Sequence, residues 1–82
     1  MFHKIVDVGT LKNKILKIKF ENKEIKYYDM KNLIKKNINF KSLNNDAIFN
    51  MAKVDRGGYG VIWTDEIDIS GEELYINGVD NI

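Results

Sequence analysis

Eighty-two residues, 44% hydrophobic and 11% aromatic, supply one small core and exclude a disordered chain. The absence of cysteine excludes a disulfide framework, a thiolate zinc site and a cysteine nucleophile. A net charge of +1 conceals a division: residues 1–56 hold all thirteen basic side chains against six acids, and residues 57–82 hold six acids and no base. That is +7 followed by −6, either a basic binding face with an acidic end or two halves that neutralise each other on folding.

Residues 3–8 are short and β-branched and are followed by Gly9, which predicts a first strand. In "KILKIKF" Leu16, Ile18 and Phe20 alternate with Lys17 and Lys19, so one face is apolar and the other wet. "ENKE" (21–24) is a turn and "IKYYDM" resumes the extended pattern, so 14–29 reads as a β-hairpin. Asn22-Lys23 is a poorer turn pair than Asn-Gly, because lysine tolerates positive φ badly.

Asp29 is placed to cap a helix beginning Met30-Lys31-Asn32-Leu33, which is short because "KKNINFKS" loses the helical period. A second helix starts near Asn45 or Asp46, with Ile48, Phe49 and Ala52 at helical spacing. "KVDRGGYGVIWT" is strand, glycine-bearing turn and strand, and "EIDIS" adds another strand after a very short connection. Ser70 and Glu73 have the spacing of a capping box, and Gly78 is expected to end that last helix in the left-handed conformation. Asp80-Asn81-Ile82 is a loose end. The fold class is therefore α+β, a small single domain over 1–82 with a mainly antiparallel sheet: hairpin, helices, hairpin, C-terminal helix.

The segments "LKIKFENKEIKYYDM", "NFKSLNNDAIFNMAKVD" and "VIWTDEIDISGEELY" resemble, in that order, the small prokaryotic family called domain of unknown function (DUF) 2442. The matching positions are Phe20, Tyr28-Asp29-Met30, Phe40, Leu43, Phe49, Val54-Asp55, Val61, Trp63, Asp68-Ile69 and Leu74-Tyr75. The chain departs from the family in having no proline and no glycine in the first hairpin turn, which bears on turn stability. The resemblance implies a fold and a partner context. Such domains are often encoded beside another small protein, in an arrangement like a toxin–antitoxin pair.

Catalytic signals are thin. Asp65, Glu66 and Asp68 offer hard oxygen ligands for a divalent cation, but adjacent strand residues point to opposite faces and no histidine is nearby. "DRGGYG" lacks the Lys-Ser/Thr of a phosphate loop, and His3 is the sole histidine. The chain is thus expected to be non-enzymatic and to use no cofactor or metal. The candidate interaction surface comprises Lys17, Lys19 and Lys26 with Tyr28 on the sheet, together with Tyr59 and Trp63, the last either a core residue or an interface anchor. The expected partner is another small protein or a second copy, because so small a core is marginal alone. Nucleic acid on the lysine-rich face is the alternative, and a metal-dependent enzyme using the acidic cluster the third reading. No apolar run is long enough for a membrane span, and Lys4 and Asp7 interrupt the stretch where a signal peptide would be apolar, so a cytoplasmic protein with no membrane partner is expected.

Overall fold

The computed structural model describes residues 2–82. Strands β1 (Ile5–Leu11), β2 (Ile15–Phe20) and β3 (Ile25–Asp29) form an antiparallel meander in that spatial order. The two-residue period of β2 decides its faces: Leu16, Ile18 and Phe20 are buried, and Lys17 and Lys19 are exposed. At the β2–β3 turn Lys23 does adopt the costly left-handed conformation, with φ 76°. Hydrogen bonds hold it there: Lys23 N–H donates to Phe20 C=O and Phe20 N–H to Glu24 C=O, both at 2.9 Å, while Asn22 Oδ1 accepts from Glu24 N–H.

The first strand runs further than its sequence indicates, through Gly9 to Leu11, and pairs directly with β2. The connection is the three-residue turn 12–14, in which Asn13 and Lys14 both adopt positive φ, 65° and 60°. Without a glycine this turn carries no obvious sequence signal. It is held from outside, by Met30 N–H donating to Lys14 C=O and Lys31 Nζ donating to Asn13 C=O, each at 2.9 Å.

Helix α1 (Lys31–Lys36) follows, then a 3-10 segment (Ile38–Asn44) and the single turn α2 (Asp46–Phe49). Asp29 accepts from Lys31 N–H at 2.9 Å, although the N-cap position itself falls to Met30. Asn45 caps α2 as expected, its Oδ1 accepting from Ala47 N–H and Ile48 N–H.

A second antiparallel meander, β4 (Lys53–Val54), β5 (Gly60–Thr64) and β6 (Ile67–Ser70), lies beside the first, and Ile5 N–H donates to Gly58 C=O at 2.9 Å where the two abut. Gly58, at φ 75°, supplies the left-handed residue of the β4–β5 turn.

Helix α3 (Gly71–Asn77) closes the chain's regular structure, with Ser70 Oγ accepting from Glu73 N–H at 3.1 Å. The reciprocal half of the capping box is replaced, because the Glu73 carboxylate accepts from Tyr28 OH instead. Gly78 is not left-handed either: its φ of −72° and ψ of 161° are extended. The chain leaves α3 straight so that Val79 can pair with Tyr27 on the edge of β3, exchanging two hydrogen bonds of 2.8 Å.

The architecture is α+β, as expected, with two three-stranded antiparallel sheets in place of one main sheet. Ile5, Leu16, Ile18 and Phe20 from the first sheet and Val61, Trp63 and Ile69 from the second are buried in one cluster. Met30, Ile34, Leu43 and Phe49 join it from the helical middle, and Leu74 from α3.

Candidate functional site

The surface expected from the sequence is not brought together. In an antiparallel sheet, directly opposed residues share a face. Lys17 and Lys19 are opposed by Tyr27 and Ile25, whereas Lys26 is opposed by the buried Ile18. The register therefore sends Lys26 to the face opposite the other two lysines. There its ammonium, with a side chain only 16% exposed, pairs with Asp80 at 3.0 Å and lies over the Tyr75 ring. The contact with Asp80 raises the Lys26 pKa.

Tyr28 is likewise on the inner face, and its hydroxyl donates to Glu73 at 2.8 Å. Burial and that carboxylate push the phenol up to about 12. Trp63 is 3% exposed and its indole N–H donates to Phe49 C=O at 2.9 Å, so it is a core residue with no surface to offer. Of the aromatic candidates Tyr59 alone is open, 65% exposed beside Phe2 with ring centroids 4.7 Å apart.

The acidic stretch is equally dispersed. Asp65 and Glu66 occupy the β5–β6 turn, and Asp68 lies on β6 in the cross-strand row of Ile62 and Lys53. Among the described residues no three acidic or histidine side chains converge in a way that could hold a metal ion. His3 is tied to Glu72 at 2.7 Å and stacked on Tyr75.

A different set of lysines does converge. Between α1 and the 3-10 segment lies a groove of about 600 Å³ whose walls carry Lys14, Lys31, Lys35, Lys36 and Lys41 and no carboxylate. Local geometry assembles it. On α1, Lys31, Ile34 and Lys35 fall at i, i+3 and i+4 and share one face. In a 3-10 helix, residues three apart eclipse, so Ile38, Lys41 and Asn44 form one stripe facing the groove while Phe40 and Leu43 form another facing the core. Asn37 makes the corner: its N–H closes α1 onto Leu33 C=O, and its side chain accepts from Asn39 N–H to start the 3-10 turn.

Two of the five lysines are already neutralised, Lys14 by Asp46 and Lys31 by Asp29 at 2.9 Å. Burial works against the Asp29 carboxylate, but the side chain and N–H of Lys31 hold its pKa below the usual range. Among the described residues, no carboxylate lies within ion-pair distance of Lys35, Lys36 or Lys41. Ile34 and Ile38 give the groove an apolar floor and rim. Such a site attracts phosphate or carboxylate groups and offers nothing to a cation.

An α-helical period does not reveal this site, because "KKNINFKS" has none. The signal present is a spacing of three, Ile38, Lys41 and Asn44, following the adjacent pair Lys35-Lys36.

The family model described as "Protein of unknown function (DUF2442)" matches residues 5–79. The chain belongs to that family. No curated protein matches it. Among solved structures, this DUF2442 chain is similar to the "Putative DNA Binding Protein" of Nitrosomonas europaea ATCC 19718, with a TM-score of 0.81 over 92% of its length and 17% identity. That likeness is one of fold, and the DUF2442 chain spans 48% of the Nitrosomonas protein. Among the described residues, no helix is long and apolar enough to cross a membrane.

Proposed function

We propose that this DUF2442 chain is a non-enzymatic nucleic-acid-binding accessory protein that holds a phosphate backbone in the groove between α1 and the 3-10 segment. The observation that carries the reading is the convergence of five lysines on a groove without a carboxylate, three of them with no ion-pair partner among the described residues. Phosphate contacts by lysine supply affinity without reading sequence. The name carried by the Nitrosomonas europaea protein of the same fold lies in the same direction.

The test is fluorescence anisotropy of labelled DNA and RNA oligonucleotides. If Lys35, Lys36 and Lys41 each neutralise one phosphate, binding to duplex weakens about 40-fold between roughly 50 and 200 mM salt. The combined change Lys35→Gln, Lys36→Gln and Lys41→Gln is expected to abolish most of that binding and flatten the salt dependence, whereas Lys17→Gln with Lys19→Gln leaves both in place. Absence of binding at low salt, or sensitivity to the sheet lysines alone, would remove the proposal.

A second reading is a protein-interaction module, which is compatible with the first because it uses the outer face of the first sheet. That face carries the exposed Leu11 and Ile25 beside the half-buried Ile15 and Tyr27. Its first partner to test is a second copy, and a sedimentation coefficient that stays monomeric over a wide concentration range would count against it.

A further inference from the structure

We infer that the groove between α1 and the 3-10 segment accepts an unpaired nucleotide and so selects single-stranded over double-stranded nucleic acid. The inference rests on the nucleic-acid reading above and specifies its substrate class. Shape is the first reason. Helix α1 has six residues, about 9 Å of length, and its lysines line a concavity rather than a projecting face. Reading a duplex requires an element that enters a groove of the nucleic acid, and the bases of a duplex are stacked out of reach of a concave protein surface. An unpaired strand has no such constraint, because its bases can be splayed away from the backbone.

The lining is the second reason. A site for phosphate alone needs only charge, yet Ile34 forms an apolar floor here and Ile38 stands at the rim 82% exposed. A base laid across Ile38 covers that exposed apolar surface, while Lys35, Lys36 and Lys41 neutralise the phosphates on either side of it. The Asn44 amide, which makes no hydrogen bond within the protein among the described residues, and the Asn37 amide nitrogen stand at the same groove with donors and acceptors suited to a base edge. A volume of about 600 Å³ is that of a small-molecule pocket and suits one or two nucleotides rather than the flank of a duplex.

The experiment compares one labelled strand of about 12 nucleotides, in DNA and RNA forms, alone and annealed to its complement, with adenosine monophosphate and inorganic pyrophosphate as competitors. The expected result is tighter binding of the unpaired strand in at least one of the two chemistries, with neither small competitor displacing it at comparable concentration. Ile38→Ala, a change at an exposed side chain whose fold is verified by circular dichroism, is expected to weaken the unpaired strand about fourfold, the equivalent of roughly one buried methylene, and so to narrow its advantage over the duplex. Duplex binding as tight as or tighter than the strand, still sensitive to the Lys35, Lys36 and Lys41 changes, would overturn this inference and keep the nucleic-acid reading. Efficient displacement by pyrophosphate or the mononucleotide would overturn it in favour of a small phosphorylated ligand. No binding of any form at low salt would overturn both.

Discussion

Replacing Trp63 by phenylalanine tests whether the lone tryptophan belongs to the core or to an interface. Its indole N–H donates to the Phe49 carbonyl at 2.9 Å within a site that is 3% exposed. Phenylalanine keeps the aromatic character but leaves that carbonyl with only the longer bond from Ala52 N–H, at 3.3 Å. Partial loss of a buried acceptor's partner costs about 1–2 kcal/mol. The smaller ring also leaves on the order of 40 Å³ unfilled, which adds about 1 kcal/mol at roughly 24 cal/mol per Å³. The sum, about 2–3 kcal/mol, lowers the melting temperature of a domain this size by on the order of 10–20 °C. Far-UV circular dichroism with thermal and urea unfolding is the appropriate assay, since Trp63 is the only tryptophan and its fluorescence disappears with the substitution. A destabilisation below about 0.5 kcal/mol, the range of ordinary surface substitutions, would refute the core assignment. Undiminished stability with weakened partner binding would return Trp63 to the interface.

Two glycines separate crowding from conformational freedom. A Cβ on Gly60 would stand 2.4 Å from the Ile69 carbonyl oxygen, a backbone atom of the paired strand, whereas a Cβ on Gly9 meets nothing within 4 Å. Gly60→Ala is therefore expected to destabilise by about 1–3 kcal/mol or more and Gly9→Ala to be neutral or slightly stabilising, and equal urea midpoints for the two would contradict the geometry. For Tyr28 the folded pKa of about 12 lies above the ordinary value of 10.0, so the folded state holds the phenolic proton more tightly. The resulting stability is complete below the ordinary value and declines as pH rises through the folded one. Tyr28→Phe is expected to remove that part of the alkaline decline, read from urea midpoints in the alkaline range, and to remove one raised tyrosinate absorbance transition while leaving that of Tyr75, which its hydrogen bond to Glu24 also raises. Lys26, whose pKa is also raised, contributes a decline of the same sign in both proteins and cancels in the comparison.

Much of the local structure was legible because short-range sterics and hydrogen bonding decide it. The alternation in β2, the Asn45 and Ser70 caps and the glycine turn before β5 each follow from residues within a few positions of one another. The turn at Asn13-Lys14 was not legible, since its left-handed residues are held by Met30 and Lys31 from a distant part of the chain. Gly78 failed as a left-handed stop for the same reason: its conformation answers to the pairing of Val79 with Tyr27.

The candidate site divides along the same line. By itself the sequence determined which residues are apolar, which strands alternate, that basic charge is concentrated in 1–56, and that the chain has the DUF2442 pattern. Tertiary structure alone decided which lysines meet. Strand register carried Lys26 away from Lys17 and Lys19, because facing in a sheet depends on which residue of the neighbouring strand lies opposite. The eclipsed spacing of the 3-10 segment brought Lys41 to Lys35 and Lys36, and packing on Ile34 and Leu43 fixed the two segments as the walls of one groove. Charge is a property of composition, but a charged site is a property of convergence, and convergence is set by contacts between residues that the sequence leaves far apart.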